Sequence, residues 1–349
     1  MANDSPLVAV AMSGGVDSAV AAALLQEQGY RLLGVTMRLW REDADDSAAE
    51  DAARVCAVLG ISHQVVDLRA PFLEQVVQPF VRDYAAGRTP NPCLACNRRL
   101  KFGLLIEHAL GLGAHALATG HYVRLRCIAG EWQLLTAADA RKDQSYVLYA
   151  LGQRELAHLL FPLGDLTKAE VRAYARRLGL PAADRPESQD ICFLRDNDYR
   201  RFLAERAPEA LRPGPILDIE GCVLGEHRGL PYYTVGQREG LGIAAARPLY
   251  VKRLDVSRNA LVVGYREQLG RSELSAQDVS WVSGRPAQGG SEVQVAIRYR
   301  ARRVAAQVWP LAGTRARVAF QHDLSDITPG QAVVLYEGER VLGGGIIEE

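Results

Sequence analysis

The 349-residue chain contains no apolar run near the ~20 residues that a membrane-spanning helix needs. Its first residues, MANDSPLVAVAM, lack the basic start and long apolar stretch of a secretory leader. The expectation is a cytoplasmic protein with no membrane partner. Cysteine is sparse: Cys56, Cys93, Cys96, Cys127, Cys192 and Cys222 are scattered over the whole length. That spread excludes a disulfide scaffold and leaves catalysis, redox chemistry or metal binding for any cysteine that matters. Net charge is also absent, because 41 basic and 41 acidic residues cancel, so no global cationic field draws the chain onto nucleic acid. A basic surface must therefore be local. Between Arg285 and Arg317, the residues Arg298, Arg300, Arg302, Arg303 and Arg315 are accompanied by Glu292 alone. This stretch is either a solvated strand face or a phosphate-binding surface.

What is present is a large apolar fraction, 48%, on a chain longer than one core usually organises, so two or three domains are expected. LVAVAMSGGVDSAVAAALLQEQGY reads as a buried strand over 7–11, a glycine turn and an alanine-rich helix ending at Gly29. LLGVTM, HQVVDL and HALATGHY read as further strands, and a helix begins at Ser47, where Ser47 and Glu50 match a capping box. This alternation predicts an α/β fold, a doubly wound parallel sheet covered on both faces. APEALRPGPI then forms a turn-rich seam, after which short strands replace helices. VQVAIRYRARRVAAQVWPL, TRARVAFQ and QAVVLYEGERVLGGGII alternate at period two, as barrel strands do. We expect a catalytic domain over 1–204, a small strand-rich domain over 205–274 and a C-terminal β-barrel over 275–349.

SGGVDS, Ser13 to Ser18, lies between the first strand and its helix, where backbone N–H groups and the positive helix end converge on an anion. Gly14 and Gly15 allow close backbone approach, and Ser13 and Ser18 add hydroxyls. The loop lacks the Gly-Lys-Ser ending of a Walker A loop and the three-glycine spacing of a dinucleotide site. In NPCLACNRRLKF, Cys93 and Cys96 stand three apart before a helical segment, with Arg98, Arg99 and Lys101 close by. A helix N-terminus and nearby cations both lower a thiol pKa, so Cys96 is expected to favour the thiolate. Cys192, inside SQDICF, reads locally as a core cysteine.

SGGxDS after a first strand resembles the signature of the PP-loop ATP pyrophosphatases, adenine nucleotide alpha hydrolase-like enzymes that cleave ATP to AMP and pyrophosphate. The ordered set AMSGGVDS (11–18), NPCLACNRRLKF (91–102), ATGHY (118–122), KDQSYVLY (142–149), SQDICF (188–193) and YYTVGQREGLGI (232–243) spans nearly the whole chain. It resembles the motifs of the bacterial tRNA-specific 2-thiouridylases, the MnmA family. The resemblance implies ATP-dependent 2-thiolation of the wobble uridine of tRNA. The uridine C2 oxygen is adenylated, and sulfur from a cysteine persulfide then gives 2-thiouridine, AMP and pyrophosphate. The implied cofactors are ATP and Mg²⁺, with no bound zinc or iron–sulfur cluster. The implied partners are the tRNA anticodon arm and a persulfide sulfur-carrier protein or cysteine desulfurase; the enzyme is taken as a monomer, with a transient dimer allowed.

By the same resemblance, Ala11, Met12, Ser13, Gly14, Gly15, Val16, Asp17, Ser18, Met37 and Gly120 bind ATP, and Asp17 also holds Mg²⁺. Cys96 is the nucleophile and Cys192 carries the persulfide, the two pairing transiently in a disulfide. Asn91, Pro92, Cys93, Lys142, Asp143 and Gln144 meet the target base, which must leave its stack. His121, Arg298, Tyr299 and Gln331 meet the tRNA, Tyr299 being suited to stack a base while arginines neutralise phosphates. Direct attack by the persulfide and prior release of hydrosulfide by Cys96 both stay open. Two other readings compete. A PP-loop ligase for a small carboxylate leaves Cys96, Cys192 and the arginine-rich segment without a role. A zinc-stabilised RNA-binding module built on Cys93 and Cys96 lacks the second close cysteine pair.

Overall fold

The first apolar run folds as the central strand of a parallel sheet. The computed structural model of the chain describes residues 5–40, 47–181, 183, 191–194 and 196–348, so Ser188, Gln189 and Asp190 of SQDICF lie outside the described residues. β1 (Leu7–Ala11), β2 (Arg31–Arg38), β3 (Ser62–Asp67) and β4 (Ala116–Ala118) all pair in parallel. A hairpin of β5 (Val123–Ile128) and β6 (Glu131–Thr136) follows, and β7 (Leu159–Leu160) completes the sheet in the order β3-β2-β1-β4-β7. Strand order reverses between β1 and β4, and ligand clefts form at such a reversal, outside the C-terminal strand ends.

One face of this sheet is covered by α1 (Val16–Glu27), α2 (Ser47–Leu59) and the helix Lys168–Arg177. Ala19, Ala21 and Ala22 of α1 are completely buried, and their small side chains let the helix lie close to Val8 and Val10. α1 is apolar on all sides because the other two helices cover it from outside. On the opposite face, Ala9 and Leu117 pack with Leu105, Ile106 and Ala109, and beyond them with Val334, Tyr336 and Val341 of the C-terminal region.

The β5–β6 hairpin breaks the expected strand–helix alternation. Its turn places Ala129 and Gly130 at φ 50° and 81°. That is a hairpin geometry for which Asn-Gly or Asp-Gly is the usual signal, so alanine in the first position conceals it. β8 (Gly214–Leu217), β9 (Val223–His227), β10 (Tyr250–Asp255) and β11 (Ala260–Gly264) form a second sheet in the order β10-β11-β8-β9. β8 arises within the segment that reads as a turn-rich seam, and the helix Tyr199–Arg206 runs across residue 204.

β12 (Arg271–Trp281), β13 (Ser291–Ala296), β14 (Val304–Pro310), β15 (Ala316–Leu324), β16 (Ala332–Glu337) and β17 (Arg340–Ile347) form the expected barrel, closed by pairing of β12 with β17. Val295, Val308, Val318, Val333 and Leu335 fill it. The β5–β6 hairpin extends this sheet through Leu135 opposite Arg340. One strand reading needs correction: IRYRARR leaves the ladder. β13 ends at Ala296, Ile297 buries itself in the barrel core, and the chain turns with Arg300 at φ 60°, so Arg298, Tyr299 and Arg300 occupy a loop. Among the described residues no helix is long and apolar enough to cross a membrane.

A separate aromatic cluster docks the 191–194 segment. The Phe193 ring lies 5.7 Å from Phe72, 5.2 Å from Phe80 and 5.3 Å from Phe202, centroid to centroid. Phe193→Ala removes the shared member of these ring contacts and should destabilise the protein by about 3–5 kcal/mol. Urea unfolding checks this, and a loss below about 1 kcal/mol would show that the segment is not anchored there.

Candidate active site

β1 delivers Met12 into the interior, where its N–H donates to the Val35 carbonyl at 2.8 Å and its own carbonyl accepts from Thr36 Oγ1 at 2.8 Å. The chain turns through Ser13 and Gly14 and enters α1 with Gly15 as N-cap residue. Gly14 sits at φ +74°, and a Cβ there would lie 2.7 Å from Asp51 Cβ, so backbone and packing both demand glycine. The hydroxyls of Ser13 and Ser18 are 3.2 Å apart, and Ser18 Oγ donates to the Gly15 carbonyl at 3.1 Å. The N–H groups of Val16, Asp17 and Ser18 occupy the first turn of α1 and have no intrahelical acceptor. With the positive end of the helix they form a cradle for an anion such as a polyphosphate.

The Asp17 carboxylate is already engaged. It accepts from Lys168 Nζ at 2.7 and 2.8 Å and from the Tyr122 hydroxyl at 2.7 Å. The sequence reading did not single out Lys168. One signal was available: Thr167 and Glu170 form a capping box, which places Lys168 in the first helical turn, where the dipole disfavours a cation. Among the described residues no group of three His, Cys, Asp or Glu side chains is placed to hold a metal ion.

Residues 119–122 follow β4 and touch both halves of the site. A Cβ on Gly120 would stand 2.7 Å from the Asp17 carbonyl carbon and 2.8 Å from the Ser18 nitrogen, so this glycine lies directly on the anion loop. His121 is buried, with Nδ1 2.8 Å from Thr119 Oγ1 and Nε2 3.4 Å from Lys101 Nζ. Burial and the Lys101 ammonium hold its pKa well below the usual histidine range. The ring is therefore neutral, and the tautomer that serves both partners donates from Nδ1 to Thr119 and accepts at Nε2 from Lys101.

Lys101 belongs to the cysteine-bearing helical run. Asn91 caps it, its Oδ1 accepting the Cys93 N–H at 3.1 Å, and Pro92 opens it. The run continues through Pro92–Ala95, a π-helical stretch Cys96–Leu104, and Leu105–Gly111. Cys93, Cys96 and Cys192 act on one another electrostatically, and Lys101 acts on all three. The expected thiolate at Cys96 is not what the structure supports: desolvation raises its pKa and outweighs Lys101. The helix dipole does not rescue it, because Cys96 lies beyond the first turn. Arg98 and Arg99 do not help either. They line a cavity of about 210 Å³ between this run and the barrel, together with Gln277 and Asp278. Cys192 is pushed up to about 12 by desolvation, then by Cys96 and Cys93, with Lys101 opposing. Its surface is nevertheless exposed, whereas Cys96 is half-buried; solvent reaches one side of Cys192 while protein crowds the others. All six cysteines are free thiols.

The residues expected at the base and the tRNA fall into two groups. Asp143 Oδ1 accepts the N–H groups of Ala137 at 3.1 Å and Ser145 at 3.2 Å, and Gln144 Oε1 accepts the Tyr122 N–H at 2.9 Å. Gln144 thus pins the loop that begins at Lys142 against the 119–122 segment, while Asp143 ties it to the end of β6. The Arg298–Arg303 loop leans on the same region: the Tyr299 ring lies 6.0 Å from Tyr146, and Arg303 lies 3.7 Å from Asp143. Tyr299 is exposed beneath Arg300, at 5.1 Å, and Arg298 pairs with Asp326 at 3.2 Å. Gln331 stands elsewhere. Its Nε2 donates to the Thr89 carbonyl at 2.7 Å, anchoring the loop that leads into Asn91.

Three family models match the chain in series: a tRNA methyl transferase HUP domain over 7–196, a tRNA methyl transferase PRC-barrel domain over 200–265, and an Aminomethyltransferase beta-barrel domain over 271–347. Curated relatives include the tRNA-specific 2-thiouridylase MnmA of Moorella thermoacetica, 50% identical over 97% of this chain and 98% of that protein. The protein of the same name from Roseiflexus castenholzii is 49% identical over the same shares. Among solved structures, the U34-tRNA thiolase NcsA from Methanococcus maripaludis with its [4Fe-4S] cluster has a TM-score of 0.39 at 20% identity, over 58% of this chain and 66% of that one. That likeness is too loose to inform the site.

Raised thiol pKa values keep sulfur protonated at neutral pH and move labelling to higher pH. Iodoacetamide labelling of Cys192, followed by peptide mass spectrometry, should still be rising at about pH 10, where a model cysteine of pKa ~8.5 has levelled off. A plateau at or below about pH 9 would contradict the desolvated site.

Proposed function

The chain belongs to the tRNA-specific 2-thiouridylase MnmA family, and from that premise we propose that it is a sulfurtransferase that uses ATP to replace the C2 oxygen of the tRNA wobble uridine with sulfur. The observation that carries this reading is the bridge at 119–122. Gly120 and Tyr122 touch the anion loop, and His121 between them touches Lys101 on the cysteine-bearing run. The chemistry needs that adjacency. Oxide is a poor leaving group, so the oxygen must be activated, and sulfur must reach C2 before water does.

In this reading the first-turn N–H groups of α1 and the hydroxyls of Ser13 and Ser18 hold the ATP phosphates, with Met37 and Gly120 bordering the nucleoside. Mg²⁺ would be carried in on the phosphates, and Asp17 would be its protein contact only by giving up one of the oxygens that Lys168 now holds. The uridine C2 oxygen takes up AMP and pyrophosphate leaves. Sulfane sulfur arrives on Cys192, whose exposure opens it to a carrier protein or desulfurase persulfide. Its terminal sulfur bonds to C2 as the C2–O bond breaks and AMP departs. Cys96 then attacks the Cys192 sulfur, releasing 2-thiouridine and leaving a Cys96–Cys192 disulfide, which a dithiol reduces with two electrons. If hydrosulfide is released first, the same bonds form and break in a different order. Residues 1–204 carry the chemistry, and the barrel over 275–349 grips the anticodon arm in the cytoplasm.

Incubation with tRNA, Mg²⁺, ATP and a persulfide donor should yield 2-thiouridine, read by nucleoside mass spectrometry. Cys96→Ser and Cys192→Ser should each lower the rate by about 10³-fold or more, while Cys93→Ser keeps most of it. Full activity in both of the first two variants, or thiolation without ATP, overturns the assignment. Gly120→Ala should weaken ATP binding by about 1–3 kcal/mol, since its Cβ overpacks the Asp17–Ser18 backbone. Calorimetric titration with ATP decides that point.

A further inference from the structure

The π-helical stretch Cys96–Leu104 determines where one ammonium group goes. In an α-helix, at 3.6 residues per turn, Lys101 would be rotated about 140° away from Cys96. The i→i+5 bonding of a π turn brings residues five apart to neighbouring positions, and the Leu105 N–H donating to the Leu100 carbonyl shows that bonding here. Lys101 is thereby turned toward the side of the run that carries Cys96.

Four segments come under its influence. Lys101 acts on Cys93 from Pro92–Ala95, on Cys96 from the π stretch itself and on Cys192 from the 191–194 segment, whose Phe193 and Leu194 share a cluster with Cys96, and it meets His121 from the turn after β4. His121 is neutral and accepts at Nε2, 3.4 Å from Lys101 Nζ, so it orients the ammonium without adding a charge. No carboxylate among the described residues forms an ion pair with Lys101, and the other cations of the stretch serve elsewhere. Arg99 reaches the Gln75 carbonyl at 3.4 Å, and Arg98 lines the cavity shared with Gln277 and Asp278. Burial raises all three thiols, Cys93 raises Cys96, and both raise Cys192, where only a backbone hydrogen bond acts in the same direction as Lys101.

We propose that Lys101 is the cation that carries the negative charge of the sulfur chemistry, stabilising the Cys192 perthiolate and then the Cys96 thiolate as each forms. The sulfur chemistry itself rests on the proposed function above. Each sulfur must lose a proton to solvent before it attacks: the Cys192 persulfide before it bonds to C2, and Cys96 before it attacks the Cys192 sulfur. Lys101 stays protonated through both steps. As the one such cation among the described residues, Lys101 neutralises one sulfur anion at a time, so the two attacks follow one another rather than coincide.

The test compares Lys101→Gln and Lys101→Arg with the parent chain. Iodoacetamide labelling of Cys96 and Cys192 across pH, without tRNA or ATP, reads the thiolate fraction directly, so its outcome is separate from whether the chain thiolates tRNA. Lys101→Gln should slow labelling of both residues at pH 8 by about tenfold, equivalent to one pKa unit. The pH profile of single-turnover thiolation should move up by the same amount, while the Kd values for ATP and tRNA stay within about threefold. Lys101→Arg, which keeps the charge, should stay close to the parent in labelling. Two results overturn the proposal: unchanged labelling profiles in Lys101→Gln, or a Lys101→Arg variant that folds and labels as slowly as Lys101→Gln.

Discussion

Gly120 presents only a hydrogen to the backbone of Asp17 and Ser18, and the geometry of the site depends on that contact. Any side chain there would push the exit of β4 away from the turn after β1, at the point where strand order reverses. Because the two strand ends touch, Tyr122 can reach Asp17, and His121, one residue earlier, can reach Lys101. An anion cradle at 13–18 and thiols at 93, 96 and 192 thus become parts of one site.

Burial and charge are opposed at the cysteines, and burial prevails in the resting protein. The helix end that would favour a thiolate is used at Asn91 and Pro92, one turn before Cys96. Arg98 and Arg99 line a cavity against the barrel, and among the described residues Lys101 is the cation that counters the desolvation of the three sulfurs. A site of this kind keeps its thiols protonated and protected from stray oxidation.

The barrel is tied into the catalytic region at several independent points. The β5–β6 hairpin extends the barrel sheet, the Tyr146 hydroxyl donates to the Ala332 carbonyl at 2.8 Å, and Gln331 and Pro329 hold both sides of Thr89. These bonds grip the loop entering the cysteine-bearing run and the loop that follows Lys142, so the position of the barrel is coupled to both.

Much of this was legible in the sequence. The apolar run 7–11, the glycine turn and the alanine-rich helix are local features, and period-two alternation in the last third marks barrel strands wherever one face is buried. The motif order pointed to the cysteines and the anion loop. Local pattern could not show the pairing of Lys168 with Asp17, the selection of Lys101 among three neighbouring cations, or the departure of Arg298 and Tyr299 from their strand. Residue types and spacings determine which chemistry a chain can carry. Desolvation, helix phase and contact between distant segments decide which of those groups face one another, and they exist only once the chain has folded.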